Sequence, residues 1–181
     1  DLIFLWRCID ILPQTVRSLR SILPGATIVV YHNDNPFASF KFRFKCRHFL
    51  ASLRYADVAA VYRPADLSRA KTLGALRTEL LMPSFIRALH RPLDYKDKSD
   101  VIYVGHFEAD GREQCLMALN DAGIDVQVRG TQWKSMQLKH PWLARQTIRQ
   151  LWGDEYVGAL SNSKISLAFL SARHDDVYTR R

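Results

Sequence analysis

The sequence predicts an α/β protein with parallel sheets, arranged as two units that meet near the middle of the chain. Two observations carry this reading. Short apolar, β-branched runs alternate with stretches of helical periodicity, and that rhythm starts afresh after a polar segment at residues 90–99. Each unit has the strand–helix–strand spacing of a parallel crossover, so both are read as Rossmann-like, and neither is complete.

The elements follow in order. Leu2 to Trp6 is a short apolar run with the pattern of a buried parallel strand. Pro13 opens a helix to Leu23, with Val16, Leu19, Ile22 and Leu23 on one face. Pro24-Gly25 ends it, and Thr27 to Tyr31 is the second strand. His32-Asn33-Asp34-Asn35-Pro36 follows at that strand's C-terminal end, where open α/β sheets carry their ligands. Phe40 to Arg54 is read as a helix, although its phenylalanines alternate as in a strand. Val58 to Tyr62 is a strand, Pro64 starts a helix that Gly74 caps, and Thr78 to Met82 is a short strand broken by Pro83.

Residues 90–99 contain Pro92 and lack periodicity, so they are read as the crossing between a first domain at 1–89 and a second at 100–181. Val101 to Gly105 begins the second unit, followed by a helix from about Gly111 to Ala122 and a strand from Asp125 to Arg129. Gln132 to Leu151 is basic and irregular, Asp154 to Asn162 reads as a helix, and Ile165 to Leu170 as a strand.

Composition narrows the class. Hydrophobic residues at 48% and charged residues at 24% give an ordinary globular balance, which excludes disorder as the organising state. No apolar run approaches the roughly 18 residues needed to cross a bilayer. DLIFLW at the start is apolar but short, and no basic region precedes it, so it does not read as a signal peptide. The absent initiator Met and abrupt apolar start set the expectation of a fragment. Cys8, Cys46 and Cys115 are odd in number and form no CxxC pair, which indicates neither a zinc site nor a disulfide framework. Reduced thiols in a cytoplasmic protein are the expectation.

Net charge is +8 and the pI about 9.6, a balance that favours nucleic acid, a membrane surface or phosphorylated small molecules as partners. Lys41, Arg43, Lys45, Arg47 and Arg54 cluster among Phe40, Phe42, Phe44 and Phe49. Aromatic and basic residues interleaved this way suit a single-stranded nucleic-acid platform, an interfacial helix on anionic lipid, or a solvated face over a phenylalanine core. Without an RNP or KH signature, nucleic acid is the disfavoured partner.

Chemistry concentrates after Gly105. A glycine that ends a buried strand lets a ligand approach the backbone, and the following helix start directs N–H groups and partial positive charge at that space. Arg112 offers a planar fork suited to phosphate oxygens. An ordinary βα turn has the same pattern, since no GxGxxG is present. Trp133 after Gly130, and Tyr156 after Gly153, can shape a pocket or simply fill core. Arg173 to Arg180 is a polar stretch after an apolar strand, either a ligand-contacting loop or a solvated one. His32 with Asp34, and His174 with Asp175 and Asp176, lack the spacing of a metal site, and none is expected.

These residues together resemble the CgeB-like glycosyltransferases, a group with spore-maturation proteins and a C-terminal domain of the glycosyl transferase family 1 type. The similar string runs from VIYVGHFEADGREQCLMALNDAGIDVQVRG, through Trp133, to GDEYVGALSNSKISLAF and HDDVYTRR. YHNDNPF and YADVAAVYRPADLSRAKTLGA resemble first-domain segments, so the likeness spans nearly the whole chain. It implies a GT-B architecture, two Rossmann-like domains across a cleft, with a nucleoside-diphosphate sugar held mainly by the second. The donor is then a substrate, and no cofactor is implied. Gly105 and Arg112 would cradle phosphate, Arg180 would add charge, and Trp133 and Tyr156 would shape the donor pocket. The family's pattern continues with an acidic, glycine-containing segment after the arginine that matches Arg180, and the sequence here stops at Arg181. The implied function is transfer of a sugar to an unknown acceptor, in the cytoplasm or peripherally at a membrane. The alternative is a non-catalytic module of the same fold whose basic face takes anionic partners.

Overall fold

The computed structural model describes residues 1–95, 98–171, 177 and 179. The chain is mixed α/β and divides into two compact units, one spanning Asp1–Pro83 and the other beginning at Ser84.

In the first unit, β1 (Leu2–Trp6), β2 (Thr27–His32), β3 (Val58–Val61) and β4 (Arg77–Leu80) form a parallel sheet in the order β1-β2-β3-β4. Crossovers that all step the same way and share one hand place their helices on one face. The core bears this out. Ile28, Val30, Ala59 and Val61 of the sheet share one cluster with Val16 of α1 (Pro13–Ile22), Phe49 and Leu50 of α3 (Arg47–Ser52), and Ala70 of α4 (Pro64–Thr72). Leu2, Phe4 and Trp6 alternate to the other face of β1 and are exposed.

The expected helix from Phe40 to Arg54 is broken. α2 (Phe40–Lys45) ends at Cys46, α3 follows, and Leu53–Tyr55 close as a 3-10 turn. The reason is burial. α3 and the turn bury Phe49, Leu50 and Leu53, whereas α2 buries no residue, so no straight helix serves both stretches. β4 also starts one residue before the expected Thr78 and ends at Leu80.

The second unit holds a parallel sheet in the order β6-β5-β7, made from β5 (Ser99–Val104), β6 (Val126–Arg129) and β7 (Ser163–Leu167). β5 is central, and Val101 to Val104 are buried on both faces. Val101 and Tyr103 pack with Leu116 of α5 (Arg112–Asp121), Trp133, Met136 of α6 (Lys134–Lys139) and Leu143 of α7 (Pro141–Ala144). Ile102 and Val104 face the other way, toward Tyr156, Ala159 and Leu160 of α8 (Gly153–Ser161). α6 and α7 lie in the stretch expected to be irregular. β7 pairs Ile165 with Val101 and starts two residues before the expected Ile165.

The outer edge of β6 is closed by a side chain. Gln146 Oε1 accepts from Val128 N–H, and Gln146 Nε2 donates to Val126 C=O, both at 2.8 Å. One primary amide thus supplies the donor and acceptor that a further strand would have offered.

Candidate functional site at the end of β5

Strand order in the second unit reverses at β5, with β6 on one side and β7 on the other. The C-terminal end of such a central strand is where open α/β sheets leave a crevice. Pairing runs on past the strands here, because Gly105 N–H donates to Arg129 C=O and Phe107 N–H to Thr131 C=O, both at 2.9 Å.

Two glycines meet at this point. Gly130 has φ +130°, and a β-carbon on it would overlap the Gly105 carbonyl. Its N–H donates to Arg149 C=O at 2.9 Å, so the whole residue is fixed by backbone. The Gly105 carbonyl turns inward and accepts from the Trp133 indole N–H at 2.8 Å. Trp133 is 1% exposed and packs edge-on against Phe107 and Tyr103. Of its two sequence readings, the structure gives it the core one.

A cavity of about 170 Å³ opens beside these glycines, lined by Val104, Gly105, His106, Gly130, Thr131, Gln150, Leu151 and Tyr156. Among the described residues, the backbone N–H groups of His106 and Thr131 have no partner. Tyr156 is half-buried on α8, packed against Ile102 and Val104, and closes one wall.

Arg112 lies at the first position of α5 but not in the cavity lining. It is 3% exposed, and its guanidinium is spent on the loop before it. Nε and Nη2 fork onto Asp110 at 2.8 and 2.6 Å, and Nη1 donates to Tyr103 Oη and to His106 C=O, both at 2.8 Å. Glu108 stands 3.3 Å from Nη2 and also pairs with His106 and Ser171. Burial works against the Arg112 charge, yet the Asp110 hydrogen bonds and the charges of Asp110 and Glu108 hold it above the ordinary arginine range. The Arg112 hydrogen bonds in turn hold the Asp110 carboxyl below its usual range. Burial pushes Glu108 up, but hydrogen bonds from His106 and Ser171 and the Arg112 charge outweigh it and bring it down.

The structure therefore brings Gly105 and Tyr156 to one cavity and places Trp133 and Arg112 behind it. Arg180, and most of the 173–180 stretch, lie outside the described residues. Sequence reading missed Thr131, Gln150 and the Asp110–Glu108 support. Asp110 carried a signal, since an acidic residue just before a helix start commonly pairs there. The reach from Arg112 to Tyr103 carried none. Among the described residues, no group of His, Cys, Asp and Glu could hold a metal ion. No helix among them is long and apolar enough to cross a membrane.

No family model matches the chain, and no curated protein matches it. Solved structures do. One is the Glycosylation Associate Protein (Gap123) complex from Streptococcus agalactiae, with a TM-score of 0.51 and 12% identity over 92% of this chain. The chain spans 37% of that neighbour's length. At that identity the likeness establishes the fold, parallel Rossmann-like α/β units, in a neighbour described as glycosylation-associated.

Proposed function

We propose that the protein is part of a glycosyltransferase, of the CgeB-like, GT-B kind, and that its second unit receives the diphosphate of a nucleotide-sugar donor. The observation that carries this is the Gly105–Gly130 end of the β5–β6 ladder, where side-chain-free backbone and unpartnered N–H groups border a cavity. Backbone N–H groups with no side chain in the way offer partial positive charge and hydrogen bonds to phosphate oxygens. The motif string and a glycosylation-associated structural neighbour support the same reading.

In this reading residues 1–89 are the acceptor side, 90–99 the crossing and 100–181 the donor side. Tyr156 packs against the nucleotide, and Arg180 adds charge. Arg112 acts one step back, by holding the loop at 106–110 in shape, and the protein works in the cytoplasm. Catalysis would rest on positioning and on stabilising the departing diphosphate.

Calorimetric titration with UDP, GDP and ADP tests this. Binding of one nucleotide, weakened about tenfold in Tyr156→Ala, is the expected result. Failure of all three to bind the wild type would remove the donor site. Equal affinity in wild type and Arg112→Ala would remove Arg112 from any phosphate role.

One observation favours the non-catalytic alternative. The arginine expected at the phosphates is 3% exposed and already paired. That reading predicts nucleotide binding without transfer or hydrolysis of any sugar donor.

A further inference from the structure

α2 buries no residue. Ser39 caps it, its Oγ accepting from Phe42 N–H at 3.3 Å, and Cys46 ends it by donating its own N–H to Phe42 C=O. Between those fixed ends Phe40 is 85% exposed and Phe44 is 61% exposed. They stand four residues apart, so they share one face of the turn. The buried Phe49, Leu50 and Leu53 that follow anchor the step to the sheet.

Charge surrounds the two rings. Residues 37–56 hold Lys41, Arg43, Lys45, Arg47 and Arg54 and no carboxylate, in a chain of net charge +8. Among the described residues none of these five cations has a carboxylate within ion-pair distance. Arg43, Arg47 and Arg54 line a groove of about 260 Å³ over Leu50 and Leu73. The Arg47 guanidinium lies over the Phe44 ring, 4.6 Å from its centre, and its Nη1 donates to Phe44 C=O at 3.2 Å.

We propose that this face docks on an anionic lipid bilayer, with Phe40 and Phe44 in the headgroup–acyl boundary and the arginine groove taking lipid phosphate. Aromatic rings exposed to this degree gain by leaving water, and cations around them gain by meeting a negative surface. A nucleic-acid platform fits less well, because stacking needs open ring faces, and Arg47 covers one face of Phe44. The inference does not depend on sugar transfer.

Co-sedimentation of the full chain with vesicles tests it. Vesicles of equal parts phosphatidylcholine and phosphatidylglycerol should pellet the protein, and phosphatidylcholine alone should not. Replacing both rings, Phe40→Ser with Phe44→Ser, should lower the partition coefficient about tenfold or more, with the melting temperature unchanged because neither ring is core. In Phe40→Trp, emission should shift to the blue on adding anionic vesicles and be quenched by brominated acyl chains. No pelleting, or pelleting unaltered in the double serine variant, would overturn the proposal. So would a single-stranded RNA oligonucleotide that displaces the protein from the vesicles and loses its own binding in that variant.

Discussion

Gly130 lies so close to the carbonyl of Gly105 that a β-carbon on it would overlap that group, and only glycine fits. The same carbonyl takes the Trp133 indole hydrogen, so two residues of the turn after β6 settle the position of one atom at the end of β5. That contact fixes the end of β5, and with it the wall of the cavity.

Gly130→Ala should therefore cost about 3 kcal/mol or more, combining backbone strain at positive φ with displacement of the β5 end. Gly25→Ala is the matched control, since open space surrounds that position, and it should stay within about 0.5 kcal/mol of wild type. Urea denaturation midpoints measure both.

The Arg112–Asp110 fork should make stability depend on pH. Asp110 has its folded pKa lowered, so its contribution is complete above the unfolded carboxyl range, about pH 4, and is lost as pH falls through the lower folded value. Asp110→Asn should flatten that acid limb of a stability–pH curve. Arg112→Ala should cost about 3 kcal/mol or more at neutral pH, because it strands Asp110 and Glu108 beside each other with little water.

Gln146 can be tested as a substitute strand. Gln146→Ala removes two hydrogen bonds from the β6 edge and should cost about 2 kcal/mol by thermal denaturation. Gln146→Glu keeps the acceptor for Val128 but sets a carboxylate oxygen against the Val126 carbonyl, and should cost at least as much as the alanine variant. Light scattering should show more self-association in the alanine variant, whose edge is open.

The thiols should separate by rate. Cys115 is exposed, whereas Cys8 and Cys46 are buried. Burial pushes Cys8 up to about 11, and burial first, then the Asp34 charge, also raises Cys46. The His32 imidazole 3.5 Å from Cys46 does not activate it, because burial lowers the His32 pKa and keeps the ring neutral. With a disulfide reagent at neutral pH, Cys115 should react fast and the other two only on unfolding.

The amino-acid sequence by itself determined the strands and the two-unit rhythm. Val101 to Val104 and Thr27 to Tyr31 read as buried parallel strands because apolar, β-branched runs have few alternatives, and local signals such as Pro13 and Gly74 marked the helix limits. Gly105 and Tyr156 were legible as candidates for the same reason, lying just after a strand and just inside a helix. The tertiary structure alone decided the roles of Arg112, Trp133 and Gln146. Each makes its deciding contact across 9 to 28 residues, with Tyr103 Oη, the Gly105 carbonyl and the β6 edge. Phe40 to Arg54 shows the same limit, since its pattern gave helix but not the break at Cys46. A side chain's type states which bonds it can make, and only the packed backbone states which partner comes within about 3 Å of it.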